Sequence, residues 1–148
     1  MDADLIVFGP GSLYTSILPT ILVPAIRRAV LACEAKKVYI SNLATQAGET
    51  YRYTASEHVQ ALYDHAGEAF IDAILLNGAD LSISPDSEGP TGPPWPVEND
   101  IEMLQQLVPY VVVKDIGIRL EGSLLHDSSK VAKWLIEYME NAINTERT

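Results

Sequence analysis

A single cysteine, Cys33, stands among 148 residues, so the chain has no internal disulfide and no Cys-x-x-Cys pair for zinc or redox exchange. Positive charge is scarce as well. There are 10 Lys and Arg against 20 Asp and Glu, a net charge of −10, which argues against DNA or RNA as a partner. The densest basic spots, Arg27-Arg28 and Lys36-Lys37, flank a helix C-terminus and suit its dipole. Long apolar runs are missing. The longest, Ile17 to Val23, is interrupted by Pro19 and Thr20 and is too short to span a bilayer. With no signal-peptide pattern at the N-terminus either, the expectation is a cytoplasmic protein with no membrane partner.

Several catalytic and cofactor motifs are also absent. Gly9-x-Gly11 is followed by Tyr14 where a dinucleotide fingerprint needs a third glycine, and no Gly-Lys precedes Thr15-Ser16 as a phosphate-cradling P-loop requires. No Gly-x-Ser-x-Gly elbow or Ser-His-Asp signature supports a nucleophile. His58 and His65 lie seven residues apart on one predicted helix, too far for the i, i+4 pairing of a zinc site, so no metal centre is expected from the histidines.

What remains is a chain that is 47% hydrophobic and long enough for one core-forming domain. Short apolar strands such as Leu5–Phe8, Val38–Ser41, Phe70–Leu76 and Tyr110–Val113 alternate with helical periods at Val23–Cys33, Ala55–Ala66 and Ile101–Leu107. That alternation predicts a three-layer α/β/α domain over residues 1–148 with a mainly parallel, Rossmann-like sheet. Thr54-x-x-Glu57 reads as a capping box opening the helix that ends at Gly67. Val131, Trp134, Leu135, Tyr138, Met139 and Ala142 form the apolar stripe of a terminal helix that Asp127 or Ser128 can cap. Ser82 to Pro96, with five prolines and two glycines, reads as a loop, in which Trp95 either stacks on a ligand or pins the loop to the body.

Two polar segments follow the first two strands and so emerge at one sheet edge, where doubly wound folds bind ligands. The first, Gly9-Pro10-Gly11-Ser12-Leu13-Tyr14-Thr15-Ser16, is a turn into a helix. Such a turn either only reverses the chain or offers backbone N–H groups and hydroxyls to an anion such as phosphate. The second runs from Asn42 through Thr45 and Gln46 to Glu49 and Thr50. Its amide and hydroxyl groups suit a neutral polar ligand, and Glu49 can orient a hydroxyl or help hold a cation. The candidate ligand-binding residues are Gly9, Gly11, Ser12, Leu13, Thr15, Ser16, Asn42, Thr45, Gln46 and Glu49, bordered by Tyr53 and His58. His58, near the start of its helix, is expected to point toward this edge, and His126-Asp127 to lie close to it.

Read in order, Ala3-Asp4-Leu5-Ile6-Val7-Phe8-Gly9-Pro10-Gly11-Ser12-Leu13-Tyr14-Thr15-Ser16-Ile17, Lys37-Val38-Tyr39 to Asn42, Thr45-Gln46-x-Gly48-Glu49-Thr50 and Tyr53-Thr54-Ala55-x-x-His58-Val59 resemble the CofD/YvcK family. His126-Asp127 with Lys130-Val131-Ala132 resembles its closing segment. The resemblance implies the C-terminal half of a longer pattern whose first half carries another glycine-rich turn and an acidic segment. It implies one of two activities. The YvcK branch, which the motifs resemble more closely, comprises nucleotide-sugar-binding regulators of carbon metabolism, cell-wall synthesis and cell shape, so a UDP-sugar is the expected ligand. The CofD branch transfers a phospholactyl group from a guanylylated donor to a deazaflavin alcohol in cofactor F420 biosynthesis, and Mg2+ would be its cofactor. A truncated non-catalytic paralogue whose sheet edge meets a partner protein is the remaining alternative, and a homo-oligomer is an allowed assembly. Ala47 replaces the family's usual proline, and Leu125 stands before His126 where YvcK-like proteins tend to carry an arginine able to meet a diphosphate.

Overall fold

The computed structural model describes residues 3–81, 95–120 and 123–146. Four strands, β1 (Leu5–Phe8), β2 (Lys36–Ile40), β3 (Ala73–Asn77) and β4 (Tyr110–Lys114), form one sheet in the order β1-β2-β3-β4. Every pairing is parallel, with Val7 opposite Val38, Tyr39 opposite Ile74 and Leu75 opposite Val112. Parallel neighbours need a crossover, and the sequence supplies one each time. A π-helical turn Leu13–Ile17 with α1 (Leu18–Leu22) and α2 (Pro24–Ala32) links β1 to β2; α3 (Ala55–Ala66) leads to β3; α4 (Ile101–Leu107) precedes β4. A hairpin of β5 (Gly117–Leu120) and β6 (Ser123–His126) then leads into α5 (Ser128–Glu146). The expected Rossmann-like α/β fold is therefore what the chain adopts.

The sheet separates two cores. On one face Phe8, Tyr39, Ile74 and Leu76 pack with Leu13, Leu18, Ile21, Val59, Leu62 and Leu104. On the other, Val38, Ile40 and Leu75 pack with Ile116, Val131 and Trp134 of the α5 layer. Burial on both faces explains the unbroken apolar runs of residues 38–40 in β2 and 73–76 in β3. Among the described residues no single helix is long and apolar enough to cross a membrane.

Local chemistry sets α3 well. The Thr54 hydroxyl accepts from the Glu57 N–H at 3.3 Å while the Glu57 carboxylate accepts from the Thr54 N–H at 2.8 Å, completing the capping box. At the other end Gly67 takes φ 92° and its N–H reaches the Tyr63 carbonyl. Asp127, rather than Ser128, opens α5 by accepting from the Lys130 N–H at 3.1 Å.

Three details differ from the sequence-based expectation. The third strand starts at Ala73 and not at Phe70, because Phe70 turns back to pack edge-on against Phe8 and Tyr63. The β5–β6 hairpin was not foreseen: its strands are four residues long, too short for a clear alternation signal. The helix after the glycine turn opens as a π turn, in which the Ser12 carbonyl accepts from both Ser16 and Ile17 N–H groups at 3.0 Å. Of the expected Ser82–Pro96 loop, residues 82–94 lie outside the described residues.

Candidate ligand site at the carboxyl edge of the sheet

β1 ends at Phe8, and Gly9 must turn the chain at once. It does so with φ +84° in so tight a space that an added Cβ would lie 2.9 Å from the Ile40 carbonyl oxygen. The Gly9–Pro10 peptide is cis. Gly11 then presents its carbonyl to the Asn42 amide, which donates to it at 3.0 Å, and the Asn42 side-chain oxygen accepts from the buried Tyr39 hydroxyl at 3.0 Å. Asn42 thus fixes the glycine turn to the end of β2. Burial pushes the Tyr39 phenol well above the usual range, so it remains a donor.

The two loops also meet through side chains. Ser12 Oγ lies 2.6 Å from Gln46 Oε1 and 2.9 Å from Glu49 Oε2. Tyr14 and Tyr53 hydroxyls lie 3.1 Å apart, with their rings edge-on. The hydrogen bond to Tyr53, helped by burial, pushes the Tyr14 phenol up to about 12. The second loop is itself braced, since the Gln46 N–H donates to the buried Thr50 hydroxyl at 2.9 Å.

The other candidates play different parts. Leu13 is fully buried in the core, backbone and side chain alike. Thr15 and Ser16 are exposed. Thr45 is buried and its N–H donates to the Trp95 carbonyl at 2.7 Å, next to a bridge between Ala44 and Pro96. Trp95 therefore pins its segment through the backbone, while its half-exposed ring faces the Arg52 guanidinium at 5.8 Å.

His58 borders the second loop from within, its ring 5.6 Å from that of Tyr53. It is completely buried, its Nδ1 donating to the Thr54 carbonyl at 2.8 Å and its ring meeting Tyr53 edge-on, and Nε2 has no partner. The spacing held this information: His58 stands four residues before Leu62 and three after Ala55, on the stripe that faces the core. Burial lowers its pKa and the neutral ring is favoured. His126 does approach the edge. Its Nε2 donates to the Ser41 carbonyl at 3.0 Å, tying the hairpin to the end of β2, and burial lowers its pKa too.

Two residues escaped the sequence reasoning. Asn77, at the end of β3, accepts on Oδ1 from the N–H groups of Ala79, Ile116 and Gly117 at 3.1, 3.2 and 2.8 Å and so anchors the root of the hairpin. Its signal was an Asn-Gly pair closing an apolar run. Arg52, with φ 60°, is the one Lys or Arg between β2 and α3, and its guanidinium lies over the rings of Tyr51 and Trp95 at 5.6 and 5.8 Å. A pocket of about 250 Å3 bounded by Tyr14, Tyr53, Glu57, Asp64 and His65 adjoins the loops. A larger cavity, about 830 Å3, lies elsewhere, between β4 and α5. We place the candidate site at the loops because polar groups from two strand ends converge there, whereas the larger cavity is an open groove along a sheet edge.

Comparison with known proteins agrees with the fold. The sequence pattern of the CofD family, described as 2-phospho-L-lactate transferase CofD, matches residues 1–116. The gluconeogenesis factor of Bacillus subtilis (strain 168) is 45% identical over 139 residues, which cover 94% of this chain and 44% of that protein. The gluconeogenesis factor of Halalkalibacterium halodurans is 42% identical over 135 residues, 91% of this chain and 42% of that one. The crystal structure of protein BH3568 from Bacillus halodurans superposes with a TM-score of 0.83 at 41% identity, covering 90% of this chain and 43% of that one. A second crystal structure of BH3568, described as a member of the UPF0052 family, superposes with a TM-score of 0.81. The chain thus spans less than half the length of the curated relatives it matches. Motifs, fold and likeness together make this chain a member of the CofD family, similar to the proteins called gluconeogenesis factors.

Proposed function

We propose that this chain forms one half of a binding site for a phosphorylated ligand of nucleotide-sugar type, a UDP-sugar, in a regulator of carbon metabolism and cell-wall synthesis. The observation that carries this reading is the joining of the two loops at the strand ends by Ser12, Gln46 and Glu49. Gly11 and Ser12 would meet phosphate with backbone and hydroxyl donors, Asn42 and Gln46 would read polar groups of the ligand, and Glu49 organises the loop. Arg52 supplies the positive charge that the candidate set from sequence lacked. The relatives' name and the closeness of the motifs support a regulator.

The test is ligand-induced stabilisation of this chain and of a full-length relative, with UDP-sugars, GDP and inorganic phosphate, each with and without Mg2+. The reading expects a rise with UDP-sugars that Gly11→Asp abolishes, since the new carboxylate would stand beside Ser16 and oppose an anion. An unchanged response in the Gly11→Asp full-length protein overturns the site. The transferase named by the matching family pattern is the second reading. There Glu49 would hold Mg2+ together with phosphate oxygens, a one-carboxylate arrangement common for that ion. Stabilisation by GDP only with Mg2+, and product formed from a guanylylated donor and a deazaflavin acceptor, would replace the regulator reading.

A further inference from the structure

Tyr51 and Trp95 are large aromatic residues left 54% and 47% exposed beside the second loop. One guanidinium lies over both rings, with Arg52 Cζ 5.6 Å from the centre of the Tyr51 ring and 5.8 Å from that of Trp95. The other tryptophan of the chain, Trp134, is only 7% exposed and packs in the core under α5. Trp95 is therefore the one indole held open to a ligand.

Backbone bonds fasten that indole to the loop site. The Trp95 carbonyl accepts from Thr45 N–H at 2.7 Å, the Leu43 carbonyl accepts from Val97 N–H at 3.1 Å, and Ala44 bridges to Pro96, so residues 95–97 run along the start of the second loop. The next loop residue, Gln46, meets Ser12 of the glycine turn. At the far end of the loop, Thr50 N–H donates to the Gln46 carbonyl at 3.0 Å, and Tyr51 and Arg52 follow. The aromatic pair is thus anchored one residue along from the contact that joins the two loops.

We propose that Trp95 is the stacking platform for the nucleobase of the bound ligand, an inference that rests on the nucleotide reading of the loop site. An exposed ring beside a phosphate site is suited to this task, because a base covers apolar surface that water otherwise wets. Arg52 fits the same arrangement. A guanidinium lying over a ring keeps its N–H donors in its own plane, so Arg52 braces the indole and still has donors for a phosphate. Stacking is tolerant of base identity, since every base has a π-face. The platform therefore senses that a base is present, in a UDP-sugar and in GDP alike, and the choice between them falls to other contacts.

Tryptophan emission of the full chain, titrated with UDP-glucose, GDP and pyrophosphate and paired with calorimetric affinities, tests this. Both nucleotides should quench the emission, and pyrophosphate should bind without quenching. Trp95→Leu should abolish the quenching and weaken both nucleotides by about tenfold, with the pyrophosphate affinity and circular dichroism unchanged. Trp95→Phe keeps a π-face and should retain most of the nucleotide affinity, and Trp134→Phe should keep the quenching. Nucleotide affinity that is equal in Trp95→Leu and the parent overturns the platform and leaves the loop site standing. So does a loss that pyrophosphate shares, since a merely structural role would weaken every ligand. If UDP-glucose, GDP and pyrophosphate all fail to bind, the loop-site reading falls and the platform falls with it.

Discussion

Ser12 Oγ lies 2.9 Å from the carboxylate of Glu49, across 37 residues of sequence, and this contact joins the glycine turn to the second loop. A hydroxyl carries one proton, so donation to Glu49 leaves the contact to Gln46, at 2.6 Å, to be completed when that amide turns its NH2 toward Ser12. Ser12→Ala removes the join without filling space. It should cost about 1 kcal/mol of stability, read by denaturant unfolding, and weaken UDP-sugar-induced stabilisation more than that loss alone explains. Equal ligand-induced shifts in the variant and the parent would separate the join from binding.

The tyrosine pair makes a spectroscopic prediction. Tyr14, held up to about 12 first by its hydrogen bond with Tyr53 and then by burial, should ionise last among the solvent-accessible phenols. Tyr53→Phe removes the leading cause, and the phenolate absorbance of Tyr14 should then develop at a pH closer to the ordinary value of about 10. A titration curve identical in parent and variant would refute the coupling.

Acid should destabilise the fold through its buried histidines. Burial lowers the pKa of His58 and His126 below the ordinary 6.5, so the unfolded chain binds more protons than the folded one as pH falls through that value. Their contribution is intact above about pH 6.5 and is lost progressively below it. His58→Leu removes the unpartnered Nε2 along with the titrating group, and stability measured against pH should fall less steeply on the acid side. His58→Ala leaves a cavity instead and should cost about 2–4 kcal/mol at neutral pH.

Gly9 and Gly11 should respond differently to alanine. At Gly9 a side chain meets both a left-handed φ of +84° and a carbonyl at 2.9 Å, so Gly9→Ala should lose about 2 kcal/mol or more. At Gly11 the new Cβ would make ordinary contact with Ser16 Cβ at 3.4 Å, and Gly11→Ala should be near neutral. Paired denaturation curves decide it, and equal losses at both positions would contradict the described turn.

What the amino-acid order determined was local and periodic. Apolar runs too short for helices, separated by amphipathic segments, can only be buried as parallel strands between helical layers, and Thr54, Glu57 and Gly67 mark the ends of α3 because capping needs only neighbours in sequence. Placing both loops at one edge needed no more than strand polarity, since parallel strands send all their carboxyl ends the same way. Tertiary structure decided the rest. The sequence could not show that Ser12 reaches Glu49, that Asn77 gathers three N–H groups from Ala79, Ile116 and Gly117, or that His126 ties a hairpin to Ser41, because each is a contact between segments whose approach depends on the whole packing. Nor could it show that His58 is buried beside Tyr53: a polar residue on an apolar stripe is ambiguous until the helix has docked.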